Sequence, residues 1–485
     1  MINHKIFEVL STFSRKEMSR FEAFVHSPYF NKHKGVSILV AYLSKIYPDF
    51  HAGNCSKETL IRKGYTPKGT DFKQLALIFT YTKRLLDQFM ITEAHNKQTF
   101  EGRLLLLKEL RQRKCMKVYR KTLVKLQEEM EQEDKKDSAA LQNQYALAKE
   151  ADNFYLQTDG RKSDPSLELK MRKLDYFYMT EKLKDAVEVH NRTNILRGNY
   201  SNRMLDGVLK EISDNLKEYE SVPVVFIYYK IFQLVFNDEE RFYFEALEFM
   251  RKNEQYLRTE ERIVIYNYFQ NYCIKQINRN QLPFLSELFQ LYQLQLKEEL
   301  IFDDQYLSEW HYKNIVTTAI RLDETEWVRQ FIYEYKERLR PESVENAFRF
   351  NLASYYHAIG EYGKVLELLL RLEYSDLRYN LGAKALLLRT YYEMEEFEAL
   401  NSLTASFYQY LQRNQLMADT RKDAYYDLFR FTKRVAQLRF DLPYTNTDKL
   451  RQTLTKLQKD IKNAPIIFNQ GWLEKKVQEL DGKIF

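Results

Sequence analysis

Apolar side chains recur along this chain every three to four residues, which is the period of an α-helix. Ile6, Phe7, Val9 and Leu10 open the pattern, and Phe21, Phe24 and Val25 continue it. Ser27-Pro28 predicts a stop, because the residue before proline is pushed out of the α region. Val36, Leu39, Val40 and Leu43 predict the next helix, and Ser56 opens a short one with Thr59 and Leu60. Asp71 predicts the N-cap of a longer helix carrying Leu75, Ile78, Phe79, Leu85, Leu86 and Phe89. Met116, Tyr119, Leu123, Leu126 and Met130 fall on one stripe of a single helix predicted over residues 103–134. A further helix is predicted over 138–158. The segment 158–165 then breaks the pattern, and Asp164 with Pro165 restarts a helix to about 197.

From Pro223 onward the pattern repeats as a helix, a tight turn and a second helix that opens near an aromatic residue. Trp327, Tyr362 and Phe397 are such aromatics, at a spacing of 35 residues, and Tyr243 and Phe284 are less regular earlier members. Pro283 and Pro341 are placed at helix starts, where proline is tolerated. A helix pair repeated every 30–45 residues or so predicts an α-solenoid, because no single unit can bury its own apolar face. Helices near 419–440, 446–462 and 471–481 are expected to close the exposed end of the array.

The stretch ASYYHAIGEYGKVLELL (353–369) resembles a tetratricopeptide repeat. Ala353 and Tyr356 match the small and aromatic positions of its first helix, Gly360 its turn glycine, and Tyr362 the aromatic that opens its second helix. The following unit, LRTYYEMEEFEAL (388–400), keeps Tyr391 and Phe397 in register but has Glu395 in place of the glycine. The unit before, TAIRLDETEWVRQF (318–331), keeps Trp327. The resemblance covers roughly residues 200–412, strongest over 342–412. It implies protein or peptide binding along the concave face of the first helices. In that register Tyr312, Asp323, Ser354, His357, Arg389 and Tyr392 face the groove. Tyr and Arg are the side chains most often found at binding hot spots.

Composition supports the helical reading. The 485 residues include 13 glycines and 9 prolines, where average usage gives about 34 and 24. Sheets and glycine-rich catalytic loops need those residues at positive φ; helices do not. The expected fold is therefore all-α: a helical-repeat solenoid preceded by a basic helical N-terminal module. The expected segments are that module (1–98), a long-helix connecting region (99–222), the tetratricopeptide-like solenoid (223–415) and a C-terminal helical cap (416–485). Three scattered cysteines, Cys55, Cys115 and Cys273, give no disulfide framework, so a reducing compartment is expected. No signal-peptide pattern opens the chain and no run of about 18 apolar residues occurs, so the cytoplasm is expected and a membrane is not.

The net charge is +7, but the first 126 residues hold +14 and the remainder −7. That asymmetry makes nucleic acid a candidate partner of the basic part. On the predicted long helix, Arg111, Arg113, Lys114, Lys117, Arg120 and Lys121 form the candidate anion-binding stripe. A helix-turn-helix reading of 56–63 and 71–91 fails, because the joining turn has seven residues and Ala76, Leu77, Ile78 and Phe79 are consecutive apolar residues. His26, His33, His51 and Cys55 are the residues a zinc site would use, but HAGNC reads as a loop and no metal or other cofactor is expected. Nucleotide-binding, metalloprotease and serine-hydrolase motifs are missing, so catalysis is not expected, although a carboxylate pair would leave no local trace. Two readings stand: a non-catalytic protein- or peptide-binding scaffold, and a nucleic-acid-binding regulator whose solenoid senses a ligand.

Overall fold

The polypeptide is all-α. The computed structural model describes residues 4–97, 99–158, 165–195, 200–370, 377–413 and 419–484. Among these residues the only strands are Phe302–Asp303 and Tyr306–Leu307, paired antiparallel in a two-residue ladder. No helix among them is long and apolar enough to cross a membrane. Packing divides the chain into two compact units: Met1–Ala186 with Tyr200–Phe226, and Val187–Asn199 with Ile227–Phe485.

In the first unit, helices Lys5–Leu10, Arg15–His26, Lys34–Ile46 and Phe72–Lys97 enclose a core of Ile6, Phe21, Val25, Leu39, Leu43, Leu86 and Phe89. Side chains fix where these helices start. Ser14 and Glu17 form a reciprocal capping box, which satisfies two backbone donors. Asp71 Oδ1 accepts from Gln74 N at 2.7 Å, and Gln74 Oε1 accepts from Asp71 N at 3.2 Å. Ser56 Oγ accepts from Thr59 N at 3.2 Å to start Lys57–Arg62. HAGNC is not a loop but one helical turn, Ala52–Cys55, whose amide at Gly53 donates to His51 Nδ1 at 3.1 Å.

The single helix expected over 103–134 is two helices, Thr99–Gln112 and Met116–Glu131. Lys114 takes a left-handed φ of 59°, and Cys115 N donates to Leu110 O at 2.9 Å. Burial drives the fold-back. Tyr119 and Leu126 share a core with Leu107, and Tyr119 stacks on Phe154 with ring centroids 3.9 Å apart. A straight helix would carry Leu107 away from that core. Helix Ser138–Thr158 follows, and Pro165 opens helix Pro165–Ile195; the expected cap at Asp164 lies outside the described residues.

In the second unit each helix from Thr259–Asn278 to Leu377–Glu393 that has a neighbour in sequence packs on it. Alternate helices also touch: Glu309–Arg321 packs on Val344–Ala358, that on Leu377–Glu393, and that on Asp419–Asp441. Four turns repeat one geometry. Asn280, Asp323, Gly360 and Glu395 have φ of 66°, 62°, 79° and 60°. Each is followed by an amide that donates to the carbonyl five residues back: Gln281 to Gln276, Glu324 to Ala319, Glu361 to Tyr356, and Glu396 to Tyr391, all at 2.9–3.0 Å. This is the six-to-one bond of a Schellman cap, which satisfies a carbonyl left over at a helix end. Only one of the four positions is glycine, so the glycine signal marks one turn and the register of the aromatic residues marks the others.

Phe284 is buried, whereas Trp327, Tyr362 and Phe397 are half-buried wedges. Trp327 stacks on Phe331 at 5.1 Å and meets Phe289 edge-on at 4.8 Å. Helix Gln470–Ile484 buries Leu473, Val477 and Leu480 in a core shared with Leu388, Phe407 and Phe429.

Candidate functional site

The six residues expected along one groove separate into different roles. Tyr312 is 0% exposed, and its hydroxyl donates to Ile332 O at 2.6 Å. Tyr392 is buried too, edge-on to Trp472 at 5.5 Å. Neither faces a groove. Their helices have neighbours on both sides, and the rings fill the space between. Asp323 is exposed and sits at the left-handed position of its turn. Ser354 is half-buried, and its Oγ donates back to Phe350 O at 2.9 Å.

His357 and Arg389 come together. They stand on successive first helices, Val344–Ala358 and Leu377–Glu393, and the third wall is Gln470–Ile484. Arg389 is half-buried, with protein packed closely around its side chain. Its Nε is sealed from water without an acceptor. Burial pulls its pKa down to about 10, and Glu393 opposes that fall. The guanidinium carbon is 6.0 Å from the centroid of Trp472.

Glu393, one turn beyond Arg389, is engaged elsewhere. Its Oε1 accepts from Trp472 Nε1 at 3.2 Å and pairs with Lys476 Nζ at 3.0 Å. Lys476 also pairs with Glu479 at 2.9 Å. Burial works against the lysine charge, but the bonds to Glu479 and Glu393 outweigh it and raise its pKa. His357 lacks such help. Burial first, then the positive charges of Arg389 and Lys476, push its pKa down to about 3, so the ring is neutral near pH 7. Its Nε2 is buried without a partner, and the ring meets Tyr362 edge-on at 5.6 Å. The arrangement thus leaves hydrogen-bonding capacity on two helices that no other group of the described residues satisfies. Glu393, Trp472 and Lys476 escaped sequence reading because Trp472 and Lys476 lie about 80 residues further on, in what reads as a simple end cap.

The fold-back divides the basic stripe at 111–121 between two helices. Arg111 Nε and Nη2 donate to Glu150 Oε1 and Oε2 at 2.7 and 3.2 Å, a forked pair with a buried carboxylate. It is therefore committed within the unit rather than held out to phosphates. Arg113 pairs with Glu109 at 3.2 Å, and Lys114 occupies the turn itself. Arg120 lies 5.8 Å from the Phe154 centroid, while Lys117 and Lys121 are exposed on the next helix. Among the described residues no group of three or more His, Cys, Asp or Glu is placed to hold a metal ion. His33 instead accepts from Val36 N at 3.4 Å as a helix cap, and Cys55 is buried.

No family model, no curated protein and no solved structure matches the chain.

Proposed function

We propose that this chain is a non-catalytic scaffold whose second unit is a tetratricopeptide-like helical-repeat solenoid holding a protein or peptide. The observation that carries the reading is the pair His357 and Arg389, on successive first helices, whose buried Nε2 and Nε have no hydrogen-bond partner. Buried polar groups are ordinarily satisfied, so unfilled ones invite a partner that supplies oxygen. The turns at 280, 323, 360 and 395 support the repeat because each joins the two helices of a pair and they recur 43, 37 and 35 residues apart; the same cap also ends helices at Gly64, Lys114 and Glu299, so its geometry alone does not mark the repeat. The partner would present a carbonyl or carboxylate oxygen to the outer edge of the Arg389 guanidinium, since its Nε and the His357 Nε2 are closed off. Three free cysteines suit the cytoplasm.

Site-specific photocrosslinking in the intact protein tests this. A photoreactive residue at Ser354, three positions before His357, is expected to capture one partner in cells. The same residue at exposed Lys364, on the second helix of the pair, is expected to capture none. Arg389→Gln should cut the Ser354 adduct severalfold. Equal yields from both positions, or none from Ser354, would remove the groove.

A further inference from the structure

A cleft of about 430 Å3 opens in the first unit beside helix Phe72–Lys97. Phe30, Lys32, His33, Tyr81, Arg84 and Gln88 line it, and no carboxylate does. Lys32 and Arg84, together with neighbouring Lys34, are exposed and form no ion pair among the described residues. Lys83, next along the helix, shows the contrast: it pairs with Asp87 at 2.7 Å. Two unpaired cations in the cleft, Lys32 and Arg84, with a third, Lys34, two residues after Lys32 in sequence, are a charge complement to phosphate.

Aromatic rings share the same surface. Tyr81 is 42% exposed and Tyr29 is 86% exposed. Leu77, Tyr81, Arg84 and Gln88 recur at helical spacing on one face of the helix. The rings are held, not loose. His33 lies 5.2 Å from Tyr81, Phe30 stacks on Phe24 at 4.1 Å, and Tyr29 meets Phe30 edge-on at 5.0 Å. Asn31 pins the turn that carries them. Its Nδ2 donates to Val25 O at 2.9 Å and to Ser37 Oγ at 3.1 Å, and its Oδ1 accepts from His33 N at 2.8 Å. A preorganised turn costs little ordering when a ligand arrives.

We propose that this cleft binds single-stranded nucleic acid, with a base against Tyr81 and adjoining phosphates on Lys32, Lys34 and Arg84. Exposed rings stack on any unpaired base, and unpaired cations follow the backbone. A duplex hides its base faces and would use the cations alone, so the rings favour a single strand. The volume suits one base with its phosphate. This inference stands apart from the partner-binding reading, since it uses other residues in the other unit.

The test is fluorescence anisotropy of the full-length protein with labelled oligothymidylate and oligouridylate dodecamers and with a matching duplex. Binding should favour the single strands. The logarithm of affinity should fall with the logarithm of salt at a slope of about −1.4 to −2, as two or three phosphate contacts require. Tyr81→Ala should weaken binding about tenfold or more, in the range of one lost stacked base. Arg84→Ala should weaken binding and flatten the salt slope by about 0.7. Both side chains are exposed, so unchanged circular dichroism is expected for each. Lys117→Ala, on the dispersed stripe, should change nothing. No binding at low salt, equal affinity for the duplex, or wild-type affinity in Tyr81→Ala would overturn the proposal.

Discussion

Tyr81 and Arg84 of the first unit and Tyr312 and Arg389 of the second occupy opposite environments, although the first unit buries a tyrosine of its own at Tyr119. Tyr81 and Arg84 stand exposed on helix Phe72–Lys97, whereas Tyr312 is sealed and Arg389 is enclosed. The residue types are the same, and all four stand on helices. What differs is the number of helices packed around them. The first helices of the second unit are flanked in a row, so inner positions are covered. Helix Phe72–Lys97 buries Leu75, Ile78, Phe79, Leu86 and Phe89 and leaves the Leu77–Tyr81–Arg84 face open. Exposure is thus a property of the neighbours, and a spacing pattern read along one helix does not contain it.

The largest effect that tests this contrast is on stability. Tyr312→Ala should cost about 3–5 kcal/mol, because it empties a fully buried ring site and strands Ile332 O. Tyr81→Ala should stay within about 0.5 kcal/mol. Urea denaturation of both variants measures it. Comparable losses would erase the distinction, and a mild Tyr312→Ala would return that residue to the surface.

The same contrast explains how much could be read beforehand. Helix starts at Ser56 and Asp71 were legible because caps are local chemistry, whereas the start at Ser14, inside a pattern read as continuous, was not. The period of three to four gave the all-α class for the same reason. The fold-back at Lys114 was not legible, since no glycine or proline marks it and Tyr119 finds Phe154 only in three dimensions. Three of the four repeated turns lack a glycine signal: Asn280, Asp323 and Glu395 take the left-handed conformation without one, and the aromatic register alone pointed to them. At the candidate site, His357 and Arg389 could be named from the register. Glu393, Trp472 and Lys476 could not, because their meeting depends on where the last helix docks.

Acid should separate the buried side chains from the exposed ones next. The folded pKa of His357, near 3, lies below the ordinary value of 6.5. As pH falls, the unfolded chain takes up this proton first. Stability that is intact above about pH 6.5 is therefore lost progressively toward pH 3. Between pH 7 and pH 4 the loss from this one group is about 2–4 kcal/mol. His357→Gln should remove that share, so its denaturation midpoint should fall less over the same range. Parallel pH profiles for the two proteins would show that the ring titrates normally and is not sealed.

Ion pairs give a smaller contrast. Glu393→Ala removes the acceptor of both Trp472 Nε1 and Lys476, a mostly buried arrangement, and should cost about 2 kcal/mol. Asp87→Ala breaks the exposed pair with Lys83 and should cost less than about 0.5 kcal/mol. The double variant Glu393→Leu with Lys476→Met should recover much of the first loss, since it leaves no stranded charge. Failure to recover would mean that the packing of Trp472, rather than the charge pair, holds the last helix in place.

The smallest effect lies in the turns. If Asp323 and Gly360 occupy one repeated geometry, they should respond in opposite directions to substitution. Gly360→Ala places a side chain at φ 79°, where a Cβ meets no atom within 4 Å, so any loss is backbone strain alone. That loss should be about 1 kcal/mol. Asp323→Gly relieves the same strain at φ 62°, although it adds freedom to the unfolded chain. The two terms leave a net change between zero and about 0.5 kcal/mol of stabilisation. A loss of 1 kcal/mol or so in Asp323→Gly would mean that its carboxylate, and not its backbone, shapes that turn. The equivalence of the four turns would then be one of outline and not of cause.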